Sequence, residues 1–182
     1  KGILGDVNGD GKVNIKDATQ IQKFVAKIID FTDAEKLRAE VNADTKVNIK
    51  DATAIQKFVA KIEMTAGAFL KAGIRKDDVV TICMPNTPQG VICLYALNRI
   101  GAIANMVHPL SSGKNITFYL DYSNSKMILT LDQFYTKVEK AVSEAENDVK
   151  IIVARIQEEL PLVKAVAYKY LKNRQNLKYP GK

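Results

Sequence analysis

The sequence predicts a mixed fold: a small all-α module of two loop–helix repeats, followed by an α/β segment with a mainly parallel sheet. Three observations carry this expectation. A 17-residue stretch, Lys12 to Ile28, returns as Lys46 to Ile62 with one change, Gln20 against Ala54. Each copy is preceded by oxygen-bearing residues at alternating positions, Asp6, Asn8 and Asp10 in one and Glu40, Asn42 and Asp44 in the other. Beyond Glu63 the repeat stops, and short apolar runs rich in β-branched residues alternate with helical patterns.

The repeat offset is 34 residues, and repeats of this kind mark a duplicated supersecondary unit. Counted from Asp6, a twelve-residue loop places Asn8, Asp10, the carbonyl of Lys12, Asn14 and Asp17 at positions 3, 5, 7, 9 and 12, with Gly11 at position 6. This is the spacing of an EF-hand calcium loop, with Asp at the final position where Glu is usual. A calcium ion takes six to eight oxygens at about 2.3–2.6 Å, and alternate residues of a tightly curled loop point inward to supply them. Lys12 offers only its backbone carbonyl, Asn14 acts through water, and Asp17 closes the cage from the first turn of the helix.

The second loop repeats the pattern with Glu40, Asn42, Asp44, the Lys46 carbonyl, Asn48 and Asp51, but Glu40 stands at position 1, Ala43 replaces Gly9 and Thr45 replaces Gly11. Thr45 must take a backbone conformation that glycine adopts without steric cost. Two calcium sites are expected, the second weaker.

Each loop leads into a helix with an apolar stripe, Ile21, Phe24, Val25 and Ile28 in the first copy and Ile55, Phe58, Val59 and Ile62 in the second. Two such stripes make a core of marginal size, so the metal should contribute to folding. Between the copies, Phe31 to Arg38 reads as a short helix, with Thr32 and Glu35 at capping-box spacing.

The stretch GDVNGDGKVNIKDATQIQKFVAKI and its copy resemble the repeat of a dockerin, in wording closest to the ruminococcal type. The resemblance covers Gly5 to Ile62. It implies calcium-dependent binding to a cohesin domain of a scaffoldin in a cellulosome-type, polysaccharide-degrading assembly outside the cell. The contact positions it implies are Ile15, Lys16, Gln22 and Lys23, duplicated as Ile49, Lys50, Gln56 and Lys57. Identity of both faces fits a recent duplication, or a two-fold-related surface that engages one partner in either of two orientations.

In the second part, Ala66 to Ala72 is helical and stops at Gly73. Val79 to Met84 reads as a buried strand, and Thr87 with Pro88 opens a helix that ends at Gly101. Strands at Ala102 to Val107, Lys126 to Thr130 and Val149 to Ala154 alternate with helices at Ile116 to Tyr122, Gln133 to Ala145 (capped by Asp132) and Leu160 to Leu171. Such alternation argues for a parallel sheet covered on both faces. Ser111 to Lys114 reads as a helix-start turn, and the single histidine, His108, as structural.

The stretch GAFLKAGIRKDDVVTICMPNTPQGVICLYALNRIGAIANMVHPL resembles the N-terminal region of adenylate-forming enzymes, the AMP-dependent acyl-CoA synthetases and ligases. The resemblance runs from Gly67 to Lys172. The family's phosphate loop, downstream acidic motif, ribose-binding aspartate and C-terminal lysine have no counterpart in this sequence. The resemblance therefore implies a catalytically silent segment, with no catalytic residues to assign and no turnover of ATP or coenzyme A. It also implies a cytoplasmic setting, against the extracellular one of a dockerin. The expected domains are 5–63 and 64–182, and KFVAKI runs into EMTAGAFLKAGI without a linker.

Composition adds limits. The net charge is +7; eleven basic and ten acidic residues fall in Lys1 to Glu63, and six basic residues with no acid fall in Lys164 to Lys182. No nucleic-acid motif accompanies that tail, so no nucleic-acid partner is expected. Cys83 and Cys93 lack metal-site spacing and read as buried thiols. No apolar run reaches the roughly 18 residues of a membrane span.

Overall fold

The computed structural model describes residues 2–155; the expected helix at Leu160 to Leu171 and the basic tail lie outside them. The chain divides into two compact units, Lys1–Met64 and Thr65–Lys182.

In the first unit, α1 (Ile15–Val25) and the start of α3 (Ile49–Lys71) are the two repeat helices, and α2 (Asp33–Ala39) lies between them in the chain. Asn14 caps α1 by accepting from the Lys16 N–H, while the Asp17 carboxylate returns to the Asn14 N–H. Asn48, Lys50 and Asp51 repeat both bonds at the head of α3. Thr32 and Glu35 form the expected capping box on α2. The core gathers Val7, Ala18, Ile21, Phe31, Ala39, Ala52 and Ile55, and Phe24 stacks on Phe31 with ring centroids 4.4 Å apart.

The predicted stripe on the first helix is too long by a turn. α1 stops at Val25, Lys27 takes a left-handed φ of 57°, and Ile28 is 70% exposed. The inward set is Ala18, Ile21 and Phe24. In the second copy the same residues stay helical, and α3 continues through the expected boundary to Lys71.

In the second unit, β1 (Val79–Cys83), β2 (Ile103–Met106), β3 (Met127–Leu131) and β4 (Lys150–Ala154) form one sheet in the order β2-β1-β3-β4. All pairings are parallel, with Val80 opposite Ala104 on one side and opposite Met127 on the other. The crossovers are α4 (Pro88–Ile100), α5 (Gly113–Tyr122) and α6 (Tyr135–Ser143). Thr87 caps α4 ahead of Pro88, and Ser112 caps α5 by accepting from the Asn115 N–H, so the Ser111 to Lys114 stretch is a helix start.

Cys83 and Ile128 pack with Ile116 and Leu120 of α5 and Val138 and Ala141 of α6. Val80, Ile82 and Leu129 on the other face of the central strands are equally buried. Burial on both faces is what parallel strands require. Asp132 does not cap a helix: it begins a 3-10 turn, Asp132–Phe134, and is 1% exposed. The chain leaves β3 through this turn, of which only Asp132 is buried, so α6 starts only at Tyr135.

Candidate metal loops and docking face

The first loop closes on its own carboxylates. Asp17 Oδ1 accepts from the N–H groups of Val7 (2.9 Å) and Asn8 (3.2 Å), and its Oδ2 accepts from Asn14 (2.8 Å). Asp6 accepts from Asp10 (3.1 Å) and from Gly11 (2.9 Å). Asp10 Oδ1 takes the Lys12 N–H at 3.0 Å, and Asn8 Oδ1 takes the Asp10 N–H at 3.0 Å. Asp6 and Asp17 are 4% and 0% exposed, and no ion pair among the described residues involves either. Burying two carboxylates without a countercharge is costly. A divalent cation among Asp6, Asn8, Asp10, the Lys12 carbonyl, Asn14 and Asp17 fits that donor set and its charge.

The second loop reproduces part of this frame. Asp51, also 0% exposed, accepts from Val41 at 3.0 Å and Asn48 at 2.9 Å. Among the described residues Glu40 accepts only from Asp44, at 2.9 Å, without the second bond that Asp6 receives from Gly11. Ala43 and Thr45 hold φ of 62° and 67°, where Gly9 and Gly11 hold 73° and 82°. The Lys46 N–H, at 2.9 Å, is the main cause that holds the Asp44 carboxyl below the usual carboxylate range; Asn48, Lys50 and Asn42 add to it. Glu40, Asn42, Asp44, the Lys46 carbonyl, Asn48 and Asp51 thus offer a similar but looser set. Among the described residues no three His, Cys, Asp or Glu side chains group as a metal-holding cluster. The loops instead mix carboxylates with amides and main-chain carbonyls, and turn several carboxylate oxygens to backbone N–H groups.

One residue outside the loop pattern braces the first loop. Arg38 of α2 donates from Nε to the Asp6 carbonyl (2.7 Å) and from Nη2 to the Val7 carbonyl (3.0 Å). It lies 32 residues from Asp6 in the chain, and nothing in the local sequence marks it.

The positions expected to make contact lie at or near the surface. Ile15 and Ile49 are 53% and 51% exposed. Lys16, Gln22, Lys23, Lys50 and Lys57 are exposed and Gln56 is half-buried.

In the second unit, the chain crosses from β1 to β2 on one side and continues to β3 on the other, so the strand order reverses between β1 and β3. Ligands of open α/β sheets collect at such switch points, beyond the carboxyl ends of the strands. Met84 to Thr87 and Asp132 to Phe134 come directly after those ends. His108, after β2, is exposed and its Nδ1 accepts the Leu110 N–H at 3.2 Å, which closes the turn around buried Pro109. The Lys137 ammonium bonds the carbonyls of Pro109 and Ser111 and lies 5.5 Å from the Phe134 ring centre. Cys83 is buried as expected, whereas Cys93 on α4 is only half-buried, because it lies at the edge of the helix's inward face; desolvation raises both thiols to about 11.

A loop–helix repeat with buried carboxylates and a doubly wound parallel sheet define two classes of module in one chain, and the comparisons bear on both. The chain belongs to the AMP-binding enzyme family, whose model matches residues 41–178, and residues 4–60 match the Dockerin type I domain. The chain is 34% identical over 87 residues to a 3-hydroxypropionyl-coenzyme A synthetase of Sulfurisphaera tokodaii, covering 45% of this chain and 13% of that protein. It is 30% identical over 102 residues to a long-chain-fatty-acid–CoA ligase of Bacillus subtilis, covering 56% and 18%. It thus spans less than a fifth of either relative. The fold is also that of part of a long-chain-fatty-acid-CoA ligase from Archaeoglobus fulgidus, with TM-score 0.52, 19% identity, and coverage of 55% of this chain and 20% of that one. A luciferase-like enzyme from the mealworm Zophobas morio gives TM-score 0.52 at 26% identity, covering 55% and 24%. No helix among the described residues is long and apolar enough to cross a membrane.

Proposed function

We propose that this chain is a calcium-dependent docking protein. Residues 5–63 hold a cohesin of a scaffoldin in an extracellular polysaccharide-degrading assembly, and residues 64–182 form a partial adenylate-forming segment without turnover. The observation that carries this reading is the pair of faces identical in sequence, Ile15, Lys16, Gln22, Lys23 and Ile49, Lys50, Gln56, Lys57, all exposed except half-buried Gln56, each rooted in a loop with a fully buried carboxylate, Asp17 or Asp51. Dockerin domains bind cohesins in general, and the match over residues 4–60 supports the same role here.

Bound calcium would neutralise the buried carboxylates and fix each loop against the head of its helix. In the first loop Asp6, Asn8, Asp10, the Lys12 carbonyl, Asn14 and Asp17 would hold it. In the second, Glu40, Asn42, Asp44, the Lys46 carbonyl, Asn48 and Asp51 would do so more weakly. Asn14 and Asn48 keep their caps on α1 and α3, so each loop delivers its face in register with the helix.

The alternative is the N-terminal part of an ATP-dependent, cytoplasmic acyl-CoA synthetase, favoured by the parallel sheet and the family match over residues 41–178. Thermal melting of the full chain separates the two. The docking reading expects a rise in melting temperature with calcium, none with ATP, and background pyrophosphate exchange across a panel of carboxylic acids. Exchange above background would overturn it in favour of the ligase.

A further inference from the structure

We infer that the duplicated face recognises an acidic partner surface with an apolar seat, so the cohesin this chain takes is one whose docking face is rich in carboxylates. This deepens the docking reading and rests on it.

The charged side chains among the contact positions are of one sign, and only Lys50 is close enough to an exposed acid, Asp44, to help lower its pKa. Lys16 and Lys23 of α1, and Lys50 and Lys57 of α3, are exposed, and no ion pair among the described residues engages any of them. The acids on α1 and on the repeat portion of α3 are Asp17 and Asp51, both 0% exposed and bonded into their loops. A seven-residue spacing is about two helical turns, so the lysines of each pair stand on one side of the helix, roughly 10 Å apart along its axis.

Helix stability does not explain this arrangement. Lys16 and Lys50 sit in the first turn, where the helix dipole disfavours a positive charge. Ile15 and Ile49 open the helices as half-exposed β-branched side chains that no core requires. Both costs occur twice, at equivalent positions. A partner that offers carboxylates to the lysines and a shallow apolar pocket to the isoleucine offsets them, and charge complementarity of this kind sets partner choice and encounter rate. The isoleucine favours a protein surface over a polyphosphate or an anionic membrane, for which the lysines alone would serve.

The test uses the full chain in saturating calcium over immobilised cohesin domains, one set with acidic docking faces and one with neutral or basic faces. Binding is expected to the acidic set alone, weakening about tenfold or more between roughly 50 and 500 mM NaCl as the charges are screened. The variant Lys16→Glu/Lys23→Glu/Lys50→Glu/Lys57→Glu should abolish binding with helix content unchanged by circular dichroism. The corresponding four-fold Lys→Gln variant should weaken it by about a hundredfold. Cohesin binding that ignores salt and both variants would overturn this inference and leave the docking reading standing. Failure to bind any cohesin would overturn both. Salt-sensitive binding to duplex DNA or phosphatidylserine vesicles, with the cohesins silent, would also overturn it.

Discussion

Thr45 holds a backbone φ of 67° at the loop position where Gly11 holds 82°. A β-branched residue in this left-handed region is strained by about 1–3 kcal/mol, and glycine is not. The second loop must therefore adopt a costly turn to surround an ion, and Glu40 receives one backbone hydrogen bond where Asp6 receives two. Replacing Thr45→Gly should raise calcium affinity at the weaker site by roughly fivefold to tenfold, as 1.4 kcal/mol is about tenfold. Calorimetric titration should show the second binding event moving toward the first. Two equal events in the unmodified chain would contradict the asymmetry.

Arg38 braces the first loop through the carbonyls of Asp6 and Val7. Its removal in Arg38→Ala strands the carbonyls of Asp6 and Val7, and hydrogen bonds from a charged donor are worth about 1.5–3 kcal/mol. Chemical denaturation should show the first unit less stable by about 2 kcal/mol, with calcium affinity reduced most at the first site. Arg38→Lys should recover only part of this, because a single ammonium cannot reproduce the two-pronged geometry. Unchanged stability in Arg38→Ala would show that the guanidinium braces nothing.

The repeat loops, the caps at Thr32 and Thr87 and the order of strands and helices along the chain were legible in the sequence because their signals are local: alternating oxygens, Thr32 before Glu35, Thr87 before Pro88; the caps at Asn14 and Asn48 were not, because both residues read first as loop ligands. The fate of KFVAKI was not. The same six residues end a helix in the first copy, where Lys27 turns left-handed, and run on as helix in the second. The residues on the C-terminal side of each copy decide between the two. After the first copy, Phe31 stacks on Phe24, so the chain has to turn back. After the second, Glu63 to Lys71 is rich in good helix formers, and the helix runs on to Lys71. Arg38 was illegible for the same reason, since its partners are set by tertiary structure. Asp132 departs from the expected cap because a carboxylate before a helical pattern usually stands at an open helix start, whereas here the strand exit is buried.

Asp78 gives the second unit a pH signature. The Lys126 ammonium at 2.6 Å, followed by the Arg75 N–H at 2.8 Å, lowers its carboxyl pKa. A carboxyl lowered in the folded state stabilises above its unfolded value, about 3.9, and that stabilisation fades as pH falls through the folded value. Asp78→Asn should therefore melt a few degrees below the parent at pH 7, and the gap should begin to narrow as pH falls below about 4 and vanish once pH has passed the lower folded value. A gap that does not narrow at all as pH falls below about 4 would point to packing rather than charge.

The two thiols should be chemically quiet. With both raised to about 11 by burial, only about one part in a thousand is thiolate at pH 8. Iodoacetamide at pH 8 should leave the native chain unmodified over an hour-scale exposure and label both cysteines once denaturant is added, as read by intact mass. Rapid labelling of Cys83 in the native chain, located by peptide mass, would contradict its burial.

Calcium-dependent cohesin binding is the central claim, and one sensor trace tests it. The full chain is passed over an immobilised cohesin with an acidic docking face in calcium, then in a chelator, then in calcium again. Docking through metal-loaded loops predicts binding, complete release and full recovery. It also predicts that Asp17→Ala with Asp51→Ala abolishes the signal, and that Asp51→Ala alone leaves most of it. Binding that survives the chelator, or no binding in calcium, would contradict it.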